Sequence, residues 1–297
     1  MSSHDKLFFS IVIPVYNSAG TLAENLKSIA DQSYVDFEIV FVDGGSTDET
    51  LKIIHHFEIE KGHIRTRLLS EPDKGIYDAM NKGLDLAQGE WVYFMGCDDR
   101  FCSLSILAQV ASEIANEDLD LVYGNVEGAV SGIRYIYNTL SKVLSVGIHH
   151  QSVFYRRSLF NELGKYDLRF KIASDYHFTL KVFLSNRYKT KYIDLDIAYY
   201  GEDGYSSRHF DYKLFSGHYR LLAKAHQIGE LEDQQKCLND SVYYCLHLAL
   251  RKRSLPTAWS NLLYYIFTAK HLSLLDKIKT VYAMLARTLR PYRQDGL

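Results

Sequence analysis

Along residues 8–100, short apolar runs alternate with segments whose apolar positions return every three or four residues, as in strands joined by helices in βαβ units. Residues 8–15 read as a buried strand, and Leu22, Leu26 and Ile29 line one face of the helix after it. A second strand at 37–42 ends at Asp43-Gly44-Gly45-Ser46. Ser46 or Thr47 is placed to cap the next helix, with Asp48 and Glu49 in a first turn where the dipole favours acids. A third strand covers 65–69, Gly75 suits a tight turn, and Ile76, Met80, Leu84 and Ala87 form one helical stripe. A fourth strand at 91–95 runs into Gly96-Cys97-Asp98-Asp99, and a fifth is expected at 119–123. The order predicts an α/β fold with a mostly parallel central sheet flanked by helices.

Past about 205 the pattern turns helical. Trp259, Leu262, Leu263, Ile266 and Phe267 share a face, with Pro256 suited to the first turn. Leu274, Ile278, Val281, Leu285 and Leu289 form a second stripe, beside Lys277, Arg287 and Arg290. The expected division is an α/β domain over 1–207 and a C-terminal helical segment over 208–297.

Composition adds limits. With 47% hydrophobic and 24% charged residues the chain has material for a full core, which excludes global disorder. Cys97, Cys102, Cys237 and Cys245 lack zinc-like spacing, and Cys97 and Cys102 read as free thiols in a reducing compartment. The start, Met1-Ser2-Ser3-His4-Asp5, has no signal-peptide pattern, and no run approaches the roughly 18 apolar residues of a spanning helix. A cytoplasmic protein is expected. The net charge of −2 is uneven: 251–297 carries nine Lys/Arg against Asp276 and Asp295, a net +7, which leaves −9 on the other 250 residues. Such a basic, striped tail either packs on a core or meets an anionic membrane surface peripherally, and nucleic acid is not an expected partner.

Candidate chemistry lies where α/β sheets bind ligands, beyond the carboxyl ends of strands. Three polar clusters occupy such ends: Pro14-Val15-Tyr16-Asn17, Asp43-Gly44-Gly45-Ser46 and Asp98-Asp99. An isolated pair of acids reads as a solvated turn. Directly after the apolar run Trp91-Val92-Tyr93-Phe94-Met95, the pair instead suits a hard cation, and Mg²⁺ typically binds through one or two carboxylates plus substrate phosphates.

Four blocks, in this order and strand context, resemble glycosyltransferase family 2: Ile11-Val12-Ile13-Pro14-Val15-Tyr16-Asn17, Val42-Asp43-Gly44-Gly45-Ser46-Thr47-Asp48, the run 70–83 from Ser70-Glu71-Pro72-Asp73 to Asn81-Lys82-Gly83, and Asp98-Asp99. His149-His150-Gln151-Ser152 and Ala173-Ser174-Asp175-Tyr176 are similar to the acceptor half of bacterial members. The likeness spans about 8–205 and leaves the tail unmatched. It implies a GT-A fold, with a nucleotide-binding part over about 1–100 and an acceptor part over 101–207.

The same resemblance implies the site. Asp43 would accept from the nucleotide base, with Pro14, Tyr16 and Asn17 lining that pocket and Asp73, Lys74, Asp78 and Asn81 beside it. Asp98 would meet ribose, sugar or metal, and Asp99 would be the main ligand of Mg²⁺ or Mn²⁺; Cys97 stands where the family often varies. Asp175 would be the general base, although an acid at a helix start fits the position equally. His149, His150, Gln151 and Ser174 would touch donor sugar or acceptor, and Lys74, Lys82 and Arg100 either face the diphosphate or are surface cations. The implied reaction moves a hexosyl or N-acetylhexosaminyl group from a nucleotide diphosphate sugar, UDP favoured, to a hydroxyl of a glycan or lipid-linked acceptor in bacterial surface polysaccharide assembly. One base and no enzyme nucleophile means a single displacement with inversion. Two rivals are a sugar nucleotidylyltransferase and a non-catalytic nucleotide-sugar-binding protein. The first would want a basic, Gly-rich loop after the first strand, where this chain has Tyr16-Asn17-Ser18-Ala19-Gly20; the second is disfavoured by Asp43, Asp99 and Asp175 standing together.

Overall fold

A computed structural model describes residues 8–185, 187–202, 204, 209, 211–215, 241, 244–246, 249–250, 254–268 and 273–289. The chain divides into two compact units, Met1–Thr139 with Ile148–Ser207, and Leu140–Gly147 with Arg208–Leu297.

In the first unit β1 (Phe9–Val15), β2 (Phe37–Asp43), β3 (Arg65–Ser70) and β4 (Trp91–Phe94) form a parallel set in the order β3-β2-β1-β4. The helices α1 (Leu22–Ala30), α2 (Thr50–Glu60) and α3 (Ile76–Leu86) connect them. Every residue of β1, β2 and β4 is buried, as sheets covered on both faces require. Beyond β4 the sheet turns mixed. After β5 (Arg100–Phe101) and α4 (Ile106–Ala115) come β6 (Leu121–Gly128) and β7 (Arg134–Tyr135). Past α5 (Leu140–Val146), which groups with the second unit, a 3-10 turn at His150–Ser152 leads into β8 (Val153–Arg156), α6 (Ser158–Leu163), α7 (Ser174–Phe183) and β9 (Thr190–Tyr200). The order continues β4-β8-β6-β9-β5, with β7 on β6. Because β8 runs antiparallel to both β4 and β6, one sheet joins the two halves.

Several local expectations are corrected. The second helix starts at Thr50, because Ser46, Thr47 and Asp48 bond the loop after β1. Asp48 itself accepts from the Thr50 main-chain N–H, so the acid performs the capping expected of Ser46 or Thr47. On α3, Ile76 is 42% exposed and Tyr77 faces inward instead. The fifth apolar run becomes the sixth strand, since β5 has only two residues, too few to leave a pattern.

The second unit contains α5, α8 (Tyr212–Phe215), α9 (Leu255–Thr268) and α10 (Leu274–Leu289). Its burial divides the expected α9 stripe, with Leu262 inside and Trp259, Leu263 and Phe267 outside. On α9 the buried positions include Thr257, Ala258, Asn261 and Leu262, with Asn261 Nδ2 donating to Phe215 O at 3.0 Å. Trp259, Leu263 and Phe267 face outward, and so do Leu274, Ile278 and Tyr282 of α10. Cys237 and the basic residues 251–253, 270, 290 and 293 lie outside the described residues; of Leu285, Arg287 and Leu289 only the main chain is described. Cys97, Cys102 and Cys245 are free thiols. Among the described residues no helix is long and apolar enough to cross a membrane.

Candidate active site

The loops at the ends of β1 and β2 are laced together. Asn17, at a left-handed φ of 49°, donates its main-chain N–H to Ser46 Oγ, and its Oδ1 accepts from Thr47 N, both at 2.8 Å. Ser18 N–H donates to Thr50 Oγ1 at 2.7 Å and Ala19 N–H to Asp48 Oδ2 at 3.1 Å. Asp43, fully buried at the end of β2, accepts from Ser70 Oγ at 2.6 Å and from the N–H groups of Gly45 and Ser46. Burial pushes its pKa up, but these hydrogen bonds outweigh that and hold the carboxylate below its ordinary 3.8. Tyr16 and Asp73 close over Gly44 beside it, while the Tyr16 ring stays 64% exposed. Pro14 is buried one register step inside, opposite Val42. An exposed ring, a buried carboxylate and a tethered loop thus surround one strand-end pocket.

The second cluster follows β4. Asp99 is buried, and its carboxylate accepts from Gly96 N at 2.6 Å, Gln151 Nε2 at 3.0 Å and Gly201 N at 2.9 Å. Asn25 Nδ2 ties down the Asp99 and Gly96 carbonyls. Burial and the charge of Asp98 push Asp99 above its ordinary 3.8 against the pull of His150, Gly201 and Gln151. Asp98, by contrast, is exposed and packs against Gly201, where any Cβ would overlap its side chain; a Cβ at Gly96 would meet both carboxylates. Asp99 is clasped by N–H donors, and Asp98 is the exposed member of the pair.

The third cluster spans α3, the 3-10 turn and α7. Asp175 Oδ1 accepts from Tyr77 OH at 2.7 Å and from Tyr176 N at 2.8 Å, and its Oδ2 lies 3.2 Å from His150 Nδ1. Burial would raise Asp175, but His150, Tyr77 and the Tyr176 N–H outweigh it and hold the group below 3.8. Asp175 stands in the first turn of α7 and within a network of polar groups. His149 packs 4.5 Å from the Tyr200 ring and 4.9 Å from Tyr135, with Nδ1 on Tyr137 OH; burial and the His150 charge push it down to about 4, so it is neutral.

Other expected site residues are engaged elsewhere. Asn81 uses both ends of its amide on the Tyr166 main chain, at 2.9 Å each. Ser174 is buried and donates to Asp167 O. Gln151 holds Asp99 instead of facing open space. Lys82 pairs with Glu71 and the Pro72 carbonyl, Arg100 pairs with Glu24 above the Tyr199 ring, and Lys74 is exposed. Asp78 caps the Lys74 N–H. Sequence reasoning missed Tyr77, Asn25, Gly96 and Gly201. A polar tip on the buried face of α3 marks Tyr77, but nothing near Gly201 signals that it meets Asp99.

Among the described residues no three His, Cys, Asp or Glu side chains gather as a metal cluster. The exposed Asp98 carboxylate, next to Asp99, supplies the oxygen chemistry that a hard divalent cation uses when its remaining ligands are phosphate oxygens and water.

Comparison with known proteins places this geometry. Residues 10–186 match the family model described as glycosyl transferase family 2. A PGL/p-HBAD biosynthesis glycosyltransferase of Mycobacterium tuberculosis is 42% identical over 199 residues, 66% of this chain and 77% of that protein. An uncharacterized glycosyltransferase of the same species is 30% identical over 183 residues, 59% of this chain and 68% of that protein. The fold matches S. aureus TarS 1-349 in complex with UDP-GlcNAc at a TM-score of 0.70 and 22% identity, covering 95% of this chain and 88% of that one. It also matches mannosyltransferase PcManGT from Pyrobaculum calidifontis in complex with GDP-Man and Mn²⁺ at 0.62 and 21%, covering 97% and 82%. The expected α/β architecture is that of these GT-A structures, with the sheet mixed beyond its first four strands.

Proposed function

Since the chain belongs to glycosyl transferase family 2, we propose that it transfers a hexosyl or N-acetylhexosaminyl group from a UDP-sugar to an acceptor hydroxyl with inversion, acting in bacterial surface glycoconjugate assembly. The observation that carries this reading is the alignment of three clusters along one sheet: Asp43 with Tyr16 and Asp73, Asp98 with Asp99, and Asp175 with His150. Asp43, already holding Ser46 and Ser70, is a fixed acceptor for donors on the nucleotide base, and Tyr16 offers its open ring face to stack on it. Asp98 would hold Mg²⁺ or Mn²⁺ against the diphosphate, and a cation there supplies Lewis-acid neutralisation of the leaving group. Asp99, gripped from Gly96, Gln151 and Gly201, keeps the loop that carries Asp98 in place. The Asp175–His150 pair accepts the acceptor's proton as attack proceeds. A mycobacterial relative named for PGL/p-HBAD biosynthesis supports a glycan or lipid-linked acceptor.

A panel of nucleotide sugars with Mn²⁺ tests this by thermal shift. UDP-sugars are expected to raise the melting temperature selectively, since a ligand bound only by the native state stabilises it. Equal response to all nucleotides, or to none, would count against the donor assignment.

The second unit supplies the membrane contact in this reading, peripherally at the cytoplasmic face. Phe267, Leu274 and Tyr282, 77%, 75% and 73% exposed, lie in a segment of net +7 charge, and Lys279 is exposed among them. That combination complements an anionic bilayer: apolar groups enter the interface while each basic residue near the surface adds about 1 kcal/mol. The full-length protein is expected to float with anionic vesicles at low salt and to be released at high salt, as screening shortens to roughly 3 Å at 1 M. Absence of flotation at low salt would end the assignment.

A further inference from the structure

Resting on the transferase reading, we propose that the atom which takes the acceptor's proton is Nε2 of His150, and that Asp175 holds and polarises the imidazole instead of attacking the proton itself.

The argument starts from what Asp175 has left to offer. Oδ1 is occupied by Tyr77 OH and the Tyr176 N–H, and Oδ2 faces His150 Nδ1 at 3.2 Å. An ionised carboxylate only accepts, so Nδ1 carries the proton of that contact. The neutral ring therefore has its lone pair on Nε2. That atom is buried, and no described protein group pairs with it. A buried polar atom without a partner is destabilising, and a ligand hydroxyl donating to Nε2 would offset that.

The groups facing the ring agree with the assignment. Burial opposes its charge, and the Asp175 carboxylate 3.2 Å from Nδ1 opposes burial and raises His150 above the ordinary 6.5. His149, next to it, is neutral, so it adds no competing cation. In the step, the acceptor O–H proton passes to Nε2 as the oxygen bonds to the anomeric carbon. The bond from that carbon to the diphosphate oxygen breaks, and the nucleoside diphosphate leaves with the electron pair. The imidazolium, steadied by Asp175, then returns its proton to solvent.

The pH dependence of turnover at saturating substrates separates the two carboxylate–imidazole assignments. His150 must be neutral to act, so the wild-type rate is expected to rise with pH through a group above 6.5 and then level. His150→Gln, which keeps a donor toward Asp175, is expected to lose about 10²–10⁴-fold in kcat. Donor affinity and melting temperature should be retained, and the acid limb should vanish. A wild-type rate flat from about pH 5 to 8, where a carboxylate stays ionised, would assign the proton to Asp175 directly. So would a His150→Gln enzyme at the parental rate. If that variant fails to fold, the wild-type profile decides alone. A wild-type protein that transfers no sugar from any donor overturns the transferase reading beneath this one.

Discussion

Asp98→Ala is expected to lower transfer by at least about 10²-fold, because a metal contributes several kcal/mol of charge stabilisation and each 1.4 kcal/mol is a factor of ten. The variant should keep its fold, since the Asp98 side chain is exposed and the loop is held through Asp99, Gly96 and Asn25. Chelation should abolish transfer by the parent, and Mg²⁺ or Mn²⁺ should restore it. A readout independent of turnover is the Mn²⁺-dependent increase in nucleotide affinity, expected in the parent and absent from Asp98→Ala. Asp99→Ala should behave differently. It removes the acceptor for Gly96, Gln151 and Gly201, so its loss should include a lower melting temperature. Full activity of Asp98→Ala in chelator would remove the cation from the mechanism.

Asp175→Asn is expected to cost about 10²–10⁴-fold in kcat while nucleotide binding stays nearly intact. The side chain keeps its shape and can still accept from Tyr77. An amide N–H turned toward His150, however, meets a nitrogen that was itself donating. The ring must then accept at Nδ1 and carry its proton on Nε2, the wrong tautomer for a base. Residues acting as a unit are not additive, so Asp175→Asn combined with His150→Gln should be little worse than either alone. Two independent, multiplying losses would show that the residues serve separate steps.

Much of the nucleotide half was legible because its strands are buried on both faces and so appear as unbroken apolar runs, and because ligand sites in such sheets gather at strand ends. Asp43 and the Asp98-Asp99 pair stood out on that ground. Which acid of the pair points inward was not legible. Adjacent residues after a strand diverge, and the choice is made by Gly201, on another strand end 102 positions away. Asn81 and Ser174 lie within recognisable motifs, yet their polar atoms satisfy main-chain groups of the loop 166–167, a need visible only once the chain is folded. The α9 stripe was visible as a stripe, but periodicity cannot say which side faces in. There Asn261 and Thr257 are buried, and Asn261 Nδ2 donates to the Phe215 carbonyl.

The 3-10 turn at His150–Ser152 has a consequence for how this enzyme can change. Its two leading side chains reach opposite ways, His150 to Asp175 and Gln151 to Asp99. On the proposed roles, the span between the leaving group and the proton acceptor would be set by one peptide unit, a covalent ruler instead of a distance maintained by packing two sheet halves. The walls around it, including the Tyr135, Tyr137 and Tyr200 cluster, can then be rebuilt for a differently shaped acceptor without resetting the chemistry. A one-residue insertion within the turn has no such freedom: it would separate the two functions while leaving each of them whole.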